Sequence, residues 1–150
     1  MYFDHKIFKL NVDMKNREEI LNFLSEEFLR QGMVTREFAK AITEREKTYP
    51  TGLQVGDVGI ALPHADRCFV KESQIGIATL KTPVDFCEMG TEDVPVKVSI
   101  VVMLALHDAD EHIEILQKLI ELFQNEKFVS GLGASRTEQD VVKILKEFNL

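Results

Sequence analysis

The chain has 150 residues and a mass of 17.1 kDa, with 45% hydrophobic and 29% charged residues, a globular composition that excludes disorder and fibres. That length predicts one domain, residues 1–150, able to bury about 68–70% of the surface its unfolded chain exposes. Eighteen Lys and Arg against 25 Asp and Glu give a net charge of −7 with no basic cluster, which excludes phosphate-neutralising nucleic-acid binding and favours a partner with basic contact residues.

Met1 to Val12 has no apolar stretch of signal-peptide length and carries Asp4. The first amphipathic helix is predicted over Asn16–Arg30. Asn16 and Glu19 have capping-box spacing, Ile20, Leu21, Leu24, Phe28 and Leu29 share one face, and Gly32 is the stop. A second helix is expected to start at a Thr35 cap, turn Phe38, Ala41 and Ile42 inward, and end before Pro50. Strands follow at Val58–Leu62, closed by Pro63, then at Ile75–Leu80, at Val84–Phe86 as a short edge, and at Val96–Leu106. The last of these is apolar on both faces along Ile100–Leu106, so it needs helices above and below. That run of seven residues is the longest apolar one, far below the roughly 20 of a membrane span.

Asp108 and Glu111 then cap a helix bearing Ile113, Leu116, Leu119, Ile120 and Phe123. Gly131 and Gly133 are expected to break the chain, and Thr137 with Asp140 opens a last helix with Val141, Ile144, Leu145 and Phe148 inward. The fold class is α/β, a small mixed β-sheet sandwiched between helices. There is no GxGxxG or GxxxxGK[ST] motif, so nucleotide binding is disfavoured. Cys68 and Cys87 lie nineteen apart without a CxxC, which points to free thiols in a reducing cytoplasm.

Four histidines are the chemically informative residues. His64 follows the strand-ending Pro63, where a side chain is firmly held yet reachable, and small Ala65 leaves room for an approaching partner. His107 ends the long strand and His112 lies in the first turn of the next helix, so the two can gather near His64 beside free helix N–H groups. Asp108, Asp110 and Glu111 oppose an anion there but can favour a charged, donating His112. Each ring also has a plain structural reading, and His5 reads as a tail residue. Arg45 belongs to a charged helix face, yet its planar fork suits phosphate oxygens, and Thr51 adds a hydroxyl. For Cys68 an inert buried thiol outweighs a nucleophile.

Three segments carry a resemblance: Arg45-Glu46-Lys47-Thr48-Tyr49-Pro50-Thr51-Gly52-Leu53, Ile60-Ala61-Leu62-Pro63-His64, and Glu111-His112-Ile113 with Leu116 and Leu119. Together they resemble the fructose/mannitol-type enzyme IIA of the bacterial phosphoenolpyruvate:sugar phosphotransferase system, roughly from His5 to Phe148. The Tyr-Pro-Thr-Gly-Leu and Pro-His-Ala-Asp stretches look most like its galactitol branch. The resemblance implies that His64 accepts phosphate from the phosphohistidine of HPr and passes it to a cysteine of enzyme IIB. It implies that His112 and Arg45 hold the phosphate oxygens, with the membrane met only indirectly through enzyme IIC. No cofactor and no metal is implied. Thr51 and backbone N–H groups are further candidates for holding phosphate, and Leu53, Ile60 and Leu62 for partner contact. Two other readings stay open: a regulatory relative that signals through His64 phosphorylation, and a metal hydrolase ligated by His64, His107 and His112.

Overall fold

A computed structural model describes residues 2–150, apart from the side chain of Ala109. The apolar run of the sequence becomes the central strand of a five-stranded mixed sheet. In chain order the elements are β1 (Phe8–Val12), α1 (Arg17–Arg30), α2 (Phe38–Thr48), β2 (Gly52–Val55), β3 (Val58–Ala61), β4 (Gln74–Cys87), β5 (Pro95–Ala105), α3 (Ala109–Leu122), α4 (Glu126–Ala134) and α5 (Glu138–Glu147). The sheet order is β1-β4-β5-β3-β2. β4 and β5 pair antiparallel, as do β2 and β3, whereas β1–β4 and β3–β5 are parallel.

Side-chain alternation along β5 divides the interior into two layers. Val98, Val101, Met103 and Ala105 face the layer that holds Leu21, Leu24 and Phe28 of α1 with Phe38 and Ile42 of α2. Ile100, Val102 and Leu104 face the layer of Ile115, Leu119, Phe128, Leu132, Val141 and Leu145 from α3, α4 and α5. Each of these Val, Leu, Ile, Phe and Met side chains, buried fully, contributes about 1.5–3 kcal/mol of transfer free energy. The α/β sandwich expected from the sequence is the fold observed.

Several local expectations need correction. α2 starts at Phe38 with Glu37 in the cap position, and Thr35 instead accepts the Phe38 N–H through its carbonyl in the preceding turn. The two predicted strands at 75–80 and 84–86 are one strand, β4, whose register slips between Thr79 and Val84. Its last part runs on beyond the registered β1 pairs. β1 and β2 were not anticipated. Gly131 and Gly133 lie inside α4 rather than breaking it. A Cβ on Gly131 would stand 2.4 Å from the Ile144 side chain, so that glycine lets α5 pack closely on α4. Gly59 does the same for the sheet, since a Cβ there would lie 2.0 Å from the Lys97 carbonyl oxygen. The Thr137–Asp140 capping box forms in full.

Two features of this fold set up a site. β3 and β5 are parallel neighbours, so their carboxyl ends open on the same sheet edge, and ligand clefts form characteristically at such edges. Past β3 the chain stays tied to β5, because the Leu104 N–H donates to the Pro63 carbonyl at 2.9 Å and His64 makes an isolated parallel bridge to Leu104.

Candidate active site

Three elements deliver side chains to that edge. His64 stands just past β3, His112 in the first turn of α3, and Arg45 in the last turn of α2. A cleft of about 380 Å³ is lined by these three with Asp66, Asp108 and Ile113 among others. The two imidazoles meet edge to face, with ring centroids 4.8 Å apart and planes at 73°. Arg45 Nη1 lies 3.7 Å from the Asp66 carboxylate, and its guanidinium sits 5.3 Å from the centre of the Tyr49 ring. Its Nε–H is buried and engaged by no protein acceptor among the described residues.

His64 is oriented by its own backbone. Nδ1 lies 2.8 Å from the Leu62 carbonyl oxygen. A carbonyl can only accept, so Nδ1 carries the proton and Nε2 keeps its lone pair. Burial pushes the ring's pKa below the ordinary 6.5; the positive charge of Arg45 and the neighbouring His112 add to this, while the Leu62 carbonyl and Asp66 oppose it. Burial and Arg45 lower His112 as well. Both shifts favour the neutral rings near pH 7. This corrects the expectation that the acidic turn would favour a charged His112.

That acidic turn has other work. The Asp108 side chain accepts the Asp110 and Glu111 N–H groups as the α3 N-cap, so those two amides are not free for an anion. Glu111 accepts from Ser73 Oγ at 3.0 Å, and Ser73 Oγ in turn accepts the His107 N–H. His107 is exposed and does not line the cleft, so the three-histidine ligand set is not assembled. Among the described residues no group of three or more His, Cys, Asp and Glu side chains is placed to hold a metal ion.

Thr51 also departs from its expected place. It is 3% exposed, and its hydroxyl lies 3.0 Å from each carboxylate oxygen of Glu46 while accepting the Leu62 N–H at 3.0 Å. Its own N–H donates to Glu46 Oε1 at 2.8 Å. The hydroxyl is thus spent inside the protein rather than in the cleft. Glu46 is 2% exposed, and burial raises its pKa to about 7 despite the Thr51 donors and the positive charges of Arg17 and Arg45. Ile60 and Leu62 are fully buried in the α3–α5 layer and are not contact surface; the exposed apolar groups nearby are Ile113 and Tyr49, 57% and 64% exposed. Cys68 is exposed rather than buried, and both cysteines are free. His5 is half-buried, with its N–H donating to Gln74 and its ring against Gln31, so it is not a loose tail.

The family model described as "Phosphoenolpyruvate-dependent sugar phosphotransferase system, EIIA 2" matches residues 1–148. The chain belongs to this family. An EIIA chain is a phosphotransferase component that transfers phosphate by way of histidine. This EIIA chain is 34% identical over 125 residues to the transcriptional regulator ManR of Bacillus subtilis, covering 82% of its own length and 18% of the regulator's. It is 27% identical over 121 residues to the galactitol-specific EIIA component of Escherichia coli, covering 81% of this chain and 80% of that protein. The fold also matches the solved complex of mannitol enzyme IIA with phosphorylated enzyme IIB from Escherichia coli, with a TM-score of 0.78 at 23% identity over 95% of each chain. The EIIA chain therefore spans most of one curated relative and under a fifth of the other.

Glu46 and Asp66 were missed from the sequence as members of this neighbourhood. For Glu46 a signal existed: Phe38, Ile42 and Glu46 recur every four residues, which places the acid on the inward face of α2. Asp66 closes the Pro-His-Ala-Asp stretch, but nothing in that stretch says that its carboxylate pairs with Arg45.

Proposed function

We propose that this chain is a phosphoryl carrier whose acceptor atom is Nε2 of His64. The observation that carries the reading is the hydrogen bond from His64 Nδ1–H to the Leu62 carbonyl, which leaves Nε2 as the nucleophile in a cleft it shares with Arg45 and His112. The donor is the phosphohistidine of HPr. The Nε2 lone pair forms a new N–P bond as the bond to the donor ring nitrogen breaks and that nitrogen recovers its electron pair. In the transition state negative charge spreads over the three phosphoryl oxygens. Arg45 answers that charge with a permanent cation and His112 with a ring N–H. Positive charge grows meanwhile on the His64 ring, where the Leu62 carbonyl dipole receives it through Nδ1–H.

In the second half-reaction a cysteine of an enzyme IIB attacks phosphorus, and the His64 ring leaves with its lone pair restored. The likeness to a mannitol enzyme IIA solved together with phosphorylated enzyme IIB supports this partner. Net charge −7 suits docking to a basic HPr face. The transported compound is a sugar or polyol, with a galactitol-like polyol favoured by the relative whose length this chain largely spans. The expected location is the cytoplasm, with the membrane met through enzyme IIC; among the described residues no helix is long and apolar enough to cross a membrane. A regulatory role is the second reading, favoured by the likeness to ManR. There the phosphorylation state of His64 would govern binding to a regulator instead of feeding uptake.

Incubation with phosphoenolpyruvate, enzyme I and HPr tests the carrier directly. The wild-type chain takes up one acid-labile phosphate and His64→Gln takes up none. Label that survives in His64→Gln and vanishes in His107→Gln overturns the assignment. Discharge of the phosphorylated chain by a galactitol-type IIB supports transport, whereas retention of label with every IIB tried supports the regulatory reading.

A further inference from the structure

The proposed chemistry uses Arg45, but its immediate neighbour Glu46 is buried beneath the cleft and has no part in that chemistry. We infer that Glu46 is a positioning residue for His64, acting through Thr51 and the backbone of Leu62; the inference rests on His64 being the acceptor.

The geometry is a short chain of donors and acceptors. The Leu62 N–H donates to Thr51 Oγ1, which donates to the Glu46 carboxylate, and the Thr51 N–H donates to the same carboxylate. The carbonyl of that same Leu62 accepts from His64 Nδ1. The peptide bearing this carbonyl joins Leu62 to Pro63, and proline has no N–H. That peptide plane therefore has no donor of its own by which to be anchored, and its tilt is set by the units on either side. On one side the Pro63 carbonyl is held by the Leu104 N–H of β5. On the other the Leu62 N–H is held by Thr51, and Thr51 by Glu46. Remove the second anchor and the carbonyl can turn, so the ring loses the acceptor that keeps the proton on Nδ1. Burial raises the pKa of Glu46 although its two Thr51 donors and the charges of Arg17 and Arg45 lower it. Glu46 does not line the cleft, so it touches no reacting group itself, and the geometry leads from it to the acceptor ring through Thr51 and Leu62.

The test reads the ring and the transfer separately. In the unphosphorylated 150-residue chain at pH 8, imidazole nitrogen NMR is expected to show wild-type His64 as the Nδ1–H tautomer. Thr51→Val and Glu46→Leu keep approximate size but delete the hydrogen bonds; each is expected to mix the two tautomers of His64 and to slow transfer from phospho-HPr by about tenfold, the worth of one oriented hydrogen bond. Thr51→Ser and Glu46→Gln keep an oxygen in place and are expected to restore both readouts. A folded Thr51→Val or Glu46→Leu chain whose His64 ring is unchanged overturns the inference. So does a wild-type ring that already populates the Nε2–H form, a result that needs no variant to fold. If instead the wild-type ring is Nδ1–H but the chain takes no label from phospho-HPr, it is the carrier reading that falls.

Discussion

Arg45 and Glu46 are consecutive in the chain and adjacent in charge, yet they occupy opposite environments. Arg45 points to a cleft where it holds one loose carboxylate and rests against an exposed tyrosine, with one donor unused among the described residues. Glu46 lies one layer down with its oxygens shared among the donors of Thr51. The first residue is under-committed and so has interactions left to offer a phosphoryl group. The second is fully committed and so, in the reading proposed above, fixes where that group is received. A transfer site needs both, because stabilising charge that arrives only in the transition state is worth little if the accepting atom wanders.

Substitutions should separate these two roles. Arg45→Ala is expected to slow phosphoryl transfer by on the order of 100-fold or more, the scale of losing a principal charge-stabilising donor. Its unfolding free energy should change by less than about 1 kcal/mol, because the exposed Asp66 pair contributes little. Stopped-flow transfer and urea unfolding check the two halves, and a large loss of stability would place Arg45 with its buried neighbour. For Glu46 the expected signature is in stability. Its pKa is raised to about 7 from an ordinary 4.5, so its protonated form is favoured by folding. The stabilising contribution is full below 4.5 and is lost as pH rises through 7. Unfolding measured at pH 5 and pH 8 should therefore show wild type losing up to about 3 kcal/mol relative to Glu46→Gln across that interval. A gap that does not change with pH would contradict the buried carboxyl.

Smaller effects refine the cleft. His112→Gln keeps a donor of different reach and should cost transfer about tenfold with the fold intact by circular dichroism. The pH profile of single-turnover acceptance should have its half-maximum below 6.5, because the neutral His64 ring is required and its pKa is depressed. A half-maximum above 6.5 would mean that burial does not govern the ring.

Much of this arrangement could be read in the chain. The long apolar run demanded a strand covered on both faces, and the Thr137–Asp140 spacing gave a complete capping box. His64, His112 and Arg45 were each singled out by residue type, position and resemblance, and the fold brings the three to one cleft. What escaped was tertiary in origin. β2 is only four residues, paired with β3 across the Gly56–Asp57 turn, too short for an alternation to show. Gly131 looked like a breaker because its reason for being glycine is a side chain thirteen positions away, Ile144. Thr51 looked like a hydroxyl for holding phosphate because hydroxyl chemistry is visible in sequence and burial is not. Ile60 and Leu62 were read as contact surface for the same reason: apolarity next to a reactive residue does not say which way the side chain faces.

The aromatic ring beside Arg45 has one last implication. A free arginine side chain carries about 2 kcal/mol of rotamer entropy, which binding an anion ordinarily removes. With its guanidinium laid against Tyr49, part of that freedom is already gone before any phosphate arrives. Since Tyr49 itself is largely open to solvent, an incoming protein that covers the phenol would tighten the cation's aim in the same movement, so recognition of the partner and readiness for the phosphate would be linked by a single flat ring.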